Sequence, residues 1–146
     1  MIQIETQQLD EEVSFKLYTL NRLIQQAYQT YLSPLGLTYP QYLVMKILLE
    51  GDDIPVNVIS ARLMLESNTV TPLLQRMERQ GLLTKGYRCS DQRQRIIRLT
   101  DLGKAMRQQI ADVSVHVATY LSEQAWNCTS ANDLGNLLSE FIRKIS

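Results

Sequence analysis

Apolar residues between positions 9 and 32 fall on one helical face. Val13, Leu17, Leu20, Ile24, Tyr28 and Tyr31 follow one another at spacings of four, three, four, four and three, which is the pattern of a 3.6-residue period. Leu35-Gly36 closes this helix. Thr38-Tyr39-Pro40-Gln41 opens a second. Thr38 can cap it, Gln41 can reciprocate in a capping box, and Pro40 sits in the first turn, where its missing N–H costs nothing. That helix runs from Tyr42 to Leu49 and stops at Gly51-Asp52-Asp53. Pro55 to Met64 predicts a short helix with Val58, Ile59 and Leu63 inward. Leu65-Glu66 then makes a tight turn, with Ser67 as the cap of the helix that follows.

In that following helix Val70, Leu73, Leu74 and Met77 form the apolar stripe, while Thr69, Thr71, Gln75, Arg76 and Arg79 point elsewhere. Gly81 stands where a left-handed residue ends a helix. Leu82 to Tyr87 and Arg95 to Leu99 read as two short strands joined by Arg88-Cys89-Ser90-Asp91-Gln92-Arg93-Gln94. Thr100 caps a long helix through about Leu121. A break at Asn127–Ser130 precedes a last helix, Ala131 to Ile145, whose apolar side carries Leu134, Leu137, Leu138, Phe141, Ile142 and Ile145. There are no internal repeats.

These elements predict a mainly α fold with a small β-hairpin, arranged as a winged helix-turn-helix. Residues 1–146 read as a single domain. A lobe at about 37–100 sits between helical segments at about 9–33 and 101–146. The flanking helices are longer than such a lobe needs, and their apolar stripes require burial, so a homodimer is expected. A monomer that folds these helices back on itself is the alternative.

The formal net charge of zero argues at first against a nucleic-acid partner. Its distribution reverses that conclusion. Between Asn57 and Arg107 ten Lys/Arg face four Asp/Glu, a local charge of +6, and the remainder of the chain carries −6. A basic middle between acidic ends suits a DNA-reading lobe on a separate scaffold. A recognition helix presents its N-terminal residues to base edges and phosphates in the major groove. Ser67, Asn68, Thr69 and Thr71 have that character, Pro72 stiffens the turn, Gln75 can pair with adenine, and Arg76 with guanine or phosphate. In the hairpin, Arg93 is flanked by Arg88 and Arg95, and a guanidinium at a wing tip can enter a narrow minor groove. Asp91 would orient Arg93 by a charge-assisted hydrogen bond.

The segment resembles the MarR family of bacterial regulators, whose wing carries a D-x-R element followed by L-T, here Asp91, Arg93, Leu99 and Thr100. It is similar in particular to the organic-hydroperoxide-sensor (OhrR-like) branch. The residues that carry this are LTYPQYL, Leu37 to Leu43, and the T-P-L-L-x-R-M-E-x-Q-G-L-x-T run from Thr71 to Thr84. The likeness covers roughly residues 10 to 110. It implies a homodimeric, sequence-specific double-stranded DNA-binding transcription factor, usually a repressor. Such a factor leaves an inverted-repeat operator on sensing an oxidant or a small phenolic or lipophilic ligand.

One departure matters. That branch places a reactive cysteine before F-x-L-Y, whereas this chain has Ser14 before Phe15-Lys16-Leu17-Tyr18. The tyrosines that surround the thiol in the family, partly from the dimer partner, match Tyr18, Tyr28 and Tyr39. A thiolate attacks peroxide because sulfur is polarizable and its pKa can be lowered; an unactivated serine hydroxyl does neither. Residue 14 as it stands is therefore not expected to sense hydroperoxides. Three readings stay open: an engineered Cys-to-Ser form, divergence toward a ligand held between the helices, or transfer of sensing to Cys89 or Cys128.

Other chemistry is sparse. His116 is the sole histidine, so no His-based metal cluster or dyad can form, and Trp126 reads as a packing anchor. No glycine-rich phosphate loop is present. No metal, no cofactor and no enzymatic activity are expected, and with no apolar run long enough to span a bilayer a cytoplasmic location is. A competing reading is a winged-helix protein-interaction module without DNA binding; the +6 middle segment weighs against it.

Overall fold

The computed structural model describes residues 12–124 and 128–146; residues 1–11 and 125–127 lie outside it, as do the side chains of residues 128–130. Helix α1 (Val13–Leu32) runs into a 3-10 turn at Ser33–Leu35, which Gly36 closes at φ +68°. Helix α2 (Tyr39–Glu50) starts with the expected capping box, the Thr38 N–H donating to Gln41 Oε1 at 2.9 Å. Its Gln41, Tyr42, Val44, Met45, Ile47 and Leu48 are all buried, so α2 is the central helix of the core. Strand β1 (Ile54–Pro55), α3 (Val56–Leu63), α4 (Ser67–Arg79), β2 (Leu83–Arg88) and β3 (Asp91–Leu99) follow. The chain then forms α5 (Asp101–Ala105), α6 (Arg107–Gln124) and α7 (Cys128–Ile145).

The three strands form one antiparallel sheet in the order β1-β3-β2, with Ile54 opposite Ile97 and Leu83 opposite Leu99. Val70, Leu73, Leu74 and Met77 of α4 pack inward with Ile59, Leu83, Ile97 and Leu99. Each buried aliphatic side chain of this kind contributes roughly 1.5–3 kcal/mol. The lobe is locked where α4, β2 and α5 meet. Thr100 Oγ1 donates to the Gly81 carbonyl at 2.6 Å and accepts from the Gly103 N–H at 3.1 Å. Gly103 lies so close to the Leu82 carbonyl that any Cβ there would collide with it. From α6, Ile110, Val113 and Val117 carry the core toward Leu32 and the C-terminal part of α1.

Several boundaries differ from the sequence expectation. Residues 9–11 of the predicted first helix lie outside the described residues. Ile54 and Pro55 form a third strand rather than a helix start; the edge position tolerates Pro55 because no N–H is asked of it. Glu66, extended at φ −70° and ψ 152°, precedes α4, so Ser67 is its first helical residue and not its cap. The hairpin strands reach nearer the tip than expected, leaving only Cys89 and Ser90 as the turn. The long helix after Thr100 is interrupted at Met106, and its second part extends to Gln124. The last helix starts at Cys128, inside the predicted break. Trp126 lies outside the described residues. No helix among the described residues is long and apolar enough to cross a membrane.

Candidate nucleic-acid interface and tyrosine cluster

Helix α4 divides cleanly. Its inward stripe is buried, while Ser67, Asn68, Thr69, Pro72, Gln75 and Arg76 are exposed and Thr71 is half-buried at the boundary. Pro72 lies within the helix rather than in a turn. Having no N–H, it leaves the Asn68 carbonyl without its usual helical donor on the exposed side. Arg76 Nε reaches the Pro72 carbonyl at 3.4 Å, which holds the guanidinium along the helix surface.

In the wing, Asp91 does hold Arg93, but through the main chain. Its Oδ1 accepts the Arg93 backbone N–H at 2.9 Å, and no ion pair joins the two side chains. The carboxylate thus shapes the loop and leaves the guanidinium free to point outward. Strand register slips between Tyr87, opposite Arg95, and Arg88, opposite Asp91, so residues 92–94 have no partner on β2. Arg88 donates to Gln94 Oε1 at 3.3 Å across this bulge. Cys89 is a free, exposed thiol at the turn. The side chain of Cys128 lies outside the described residues.

Four cations of the basic segment are committed to ion pairs. Arg62 pairs with Glu50 at 2.6 Å, Lys85 with Glu78 at 2.9 Å, Arg98 with Asp53 at 2.6 Å and Lys104 with Asp52 at 3.2 Å. These bonds brace the scaffold. The hydrogen bond from Arg98 holds the Asp53 carboxyl below its ordinary range, and that from Arg62 does the same for Glu50. Asp53 sits at φ +57°, a left-handed conformation uncommon outside glycine, Asn and Asp. Arg76, Arg79, Arg88, Arg93 and Arg95 are exposed and in no ion pair among the described residues. Of the six cations between Asn57 and Arg107 left unpaired among the described residues, five lie on α4 and the wing and the sixth, Arg107, begins α6.

At the α1–α2 junction three phenols cluster. Tyr28 lies 4.8 Å from Tyr39 and 5.3 Å from Tyr42 between ring centroids. Burial, followed by the neighbouring Tyr42 and Tyr39, pushes Tyr28 up to about 12, and burial raises Tyr39 too. Tyr42 shares a hydrogen bond with Ser114 of α6, which Lys46 Nζ also reaches at 3.4 Å. A cavity of about 290 Å³ opens beside Tyr28, lined by Ser114, Val117, Leu121, Ala131 and Asn132. Ser14 and Tyr18, both exposed, are not brought to this cluster within one protomer. Fourteen residues of helix separate Ser14 from Tyr28, about 21 Å of axis.

Tyr42 and Ser114 were not anticipated. Tyr42 follows Tyr39 by three residues, a helical spacing that could have placed it on the same face, whereas nothing local links Ser114 to α2. His116, exposed, stacks on Tyr31 at 5.2 Å, in keeping with a surface packing role. Among the described residues no group of three or more His, Cys, Asp or Glu is arranged to hold a metal.

A helix-turn-helix followed by a basic two-stranded wing defines a winged helix protein. Residues 26–110 match the family described as transcriptional regulator SarA/Rot. The organic hydroperoxide resistance transcriptional regulator of Bacillus subtilis is 36% identical over 105 residues, 72% of this chain and 71% of that protein. The regulator SarZ of Staphylococcus aureus is 29% identical over 141 residues, 97% of this chain and 93% of its own length. The solved structure of reduced AbfR bound to DNA (AbfR is a Staphylococcus epidermidis protein) superposes with a TM-score of 0.77 at 30% identity, covering 94% of each chain. The chain belongs to the MarR family of transcriptional regulators, of the SarA/Rot type.

Proposed function

We propose that the protein is a homodimeric, sequence-specific double-stranded DNA-binding repressor. Helix α4 would enter the major groove with Ser67, Asn68, Thr69, Thr71, Gln75 and Arg76, and the wing would place Arg93, with Arg88 and Arg95, in the flanking minor groove. The observation that carries this reading is the sorting of cations. Within the basic segment Arg62, Lys85, Arg98 and Lys104 are paired with acids, while Arg76, Arg79, Arg88, Arg93 and Arg95 of α4 and the wing tip are exposed and unpaired among the described residues. Phosphate contacts are the natural use of such charge. The DNA-bound state of AbfR, a neighbour at 30% identity, supports the same reading.

Dimerisation is supported by the apolar side chains that one chain leaves open. On α7, Leu137, Phe141, Ile142 and Ile145 are between 46% and 83% exposed, and on α1 so are Val13, Leu17 and Leu23 at 42% to 69%. A groove of about 710 Å³ between α1 and α6, lined by Leu20, Leu23, Ile24, Ala27, Tyr120 and Leu121, adds to this open surface. Two-fold symmetry then calls for an inverted repeat with half-sites about one helical turn apart. In the second protomer's presence, Ser14 and Tyr18 of one chain can face Tyr28 and Tyr39 of the other, which restores the sensor pocket that one protomer lacks.

Release from DNA by an oxidant or a small ligand belongs to the same proposal, and the cavity beside Tyr28 and the hydroperoxide-resistance relative support it. The test is fluorescence anisotropy on an inverted-repeat duplex selected from genomic DNA, with and without organic hydroperoxide, using this chain and Ser14→Cys. Tight, steeply salt-dependent binding that hydroperoxide abolishes only in Ser14→Cys is the expected result. Release of the unmodified chain by hydroperoxide would move the sensor to Cys89 or Cys128. Insensitivity of both forms would point to a ligand in the cavity beside Tyr28, and salt-independent affinity would remove the DNA assignment.

A further inference from the structure

A relay of three hydrogen bonds ties the start of α2 to the end of α4. The Thr38 N–H donates to Gln41 Oε1 at 2.9 Å, Gln41 Nε2 donates to Gln80 Oε1 at 3.0 Å, and Gln80 Nε2 donates to the Gly36 carbonyl at 3.1 Å. A backbone N–H can only donate and a carbonyl can only accept. Both amides therefore have a single permitted orientation, and the relay runs in one direction. Gln41 is only 5% exposed, so its polar atoms depend on these partners. Gly36, left-handed at φ +68°, fixes the carbonyl at the far end.

Elsewhere α4 is held by apolar packing of Val70, Leu73, Leu74 and Met77, by the partly exposed Glu78–Lys85 ion pair and by Thr100 bonding the Gly81 carbonyl just past its end. Apolar packing sets the depth of a helix but is non-directional, and it resists small rotations or slides weakly. The relay adds directional bonds on the α2 side of the helix, complementing the Glu78–Lys85 pair on the β2 side. Gln80 is the residue that ends α4, one turn beyond Arg76, whose carbonyl accepts the Gln80 N–H at 3.0 Å.

We infer that Gln41 and Gln80 form a specificity-determining clasp. They are positioning residues that touch no base but fix the rotation of α4 about its axis, and so decide which base edges Gln75 and Arg76 meet. This rests on the DNA-reading function proposed above. Loosening the clasp leaves phosphate attraction in place, because the cations are unchanged, but blurs base readout.

The test uses the full-length protein and a duplex recovered by selection from random-sequence DNA, compared with non-specific duplex of equal length. Gln41→Glu keeps the acceptor for the Thr38 N–H, and a carboxylate suits a helix N-terminus, yet it offers Gln80 no donor. Gln80→Glu, at an exposed position where folding is not at stake, removes the donor to Gly36 instead. In both variants the ratio of specific to non-specific affinity is expected to fall about tenfold, the scale of one lost base contact. Non-specific affinity and the thermal midpoint should stay near those of the unmodified protein. In Gln41→Glu/Gln80→Arg the introduced guanidinium can donate both to the introduced carboxylate and to the Gly36 carbonyl, and the ratio should recover.

An unchanged ratio in Gln41→Glu and Gln80→Glu overturns the clasp while leaving DNA binding intact. So does a fall in specific and non-specific affinity together. A protein that selects no sequence from the pool removes the DNA-reading proposal, and the clasp with it.

Discussion

The winged lobe and the helical lobe solve burial in opposite ways. From α2 to α5 nearly every large apolar side chain that faces inward is covered, and the exposed face of α4 is polar. The exceptions are Met64 at 60%, Tyr87 and Leu102 at 56%, and Leu65 and Val58 at 40%, the last expected to face inward. The N-terminal half of α1 and the C-terminal part of α7 show the reverse: Val13, Leu17, Leu137, Phe141, Ile142 and Ile145 are exposed, Leu134 and Leu138 are half-buried, and none of the described α7 side chains joins the buried core. The same helical periodicity thus has two outcomes. Where a chain supplies its own partner surface, the stripe becomes a core; where it does not, the stripe is a surface for another molecule. The lobe is complete in one chain, and the scaffold is not.

Two substitutions break that comparison from either side. Gly103→Val, inside the finished lobe, forces a branched side chain against the Leu82 carbonyl and within 3.0 Å of Leu99 Cδ2. Overpacking against backbone should cost about 3 kcal/mol, the upper part of the usual range. A lowered urea midpoint in circular dichroism is the readout, and an unchanged midpoint would mean that α5 is not locked to the sheet. Phe141→Glu, on the unfinished scaffold, should leave the protomer folded. It should weaken self-association about a hundredfold, ~2.8 kcal/mol, because a carboxylate then faces an apolar interface. Sedimentation velocity over a concentration series measures it. A variant that unfolds instead would show that α7 belongs to its own chain's core.

What the sequence made legible follows the same division. Positions whose partners are local were readable: the Thr38–Gln41 box, the Gly81 stop, the Thr100 cap and the Val70–Leu73–Leu74–Met77 stripe all occur as expected. Features that depend on distant chain were not. Strand β1 is two residues long and exists only because Ile54 and Pro55 meet Ile97 and Ile96 of β3. The bond of Tyr42 to Ser114 spans 72 residues, and that of Gln41 to Gln80 spans 39. Asp91 was readable as the partner of Arg93, but not that its partner is the main chain, since spacing cannot tell a side-chain from a backbone donor. Of the candidate pocket, Tyr28 and Tyr39 meet, while Ser14 and Tyr18 lie exposed on α1 away from them.

The exposed cations offer a smaller effect that sharpens the contrast between bracing and reading charge. Arg93→Ala should weaken DNA binding by ~1–3 kcal/mol, the worth of one good groove contact, without moving the thermal midpoint, because Arg93 braces nothing. Arg98→Ala should do the opposite, since its guanidinium is committed to Asp53. Gel-shift titration and thermal melts of both variants separate the two roles. Equal DNA affinity in Arg93→Ala and the unmodified protein would sink the wing assignment.

The smallest effect lies in pH, where the two lobes should fail at opposite ends of the scale. Asp53 is held low by Arg98, so its contribution is present above the unfolded carboxylate range and is lost as pH falls through its own. Tyr28 has the other sign. Its folded value of about 12 exceeds the ordinary 10.0, so the folded chain keeps a proton that the unfolded chain has released. Stability from the α1–α2 junction is therefore full below about pH 10 and declines as pH rises toward about 12. Tyr39, raised by the same burial, adds to the alkaline decline. Urea midpoints measured across that window should fall less steeply in Tyr28→Phe, which has no proton to lose, than in the unmodified protein. Identical slopes would mean that the phenols are as well hydrated in the folded chain as in the unfolded one. The junction where the finished lobe meets the open scaffold would then be open too.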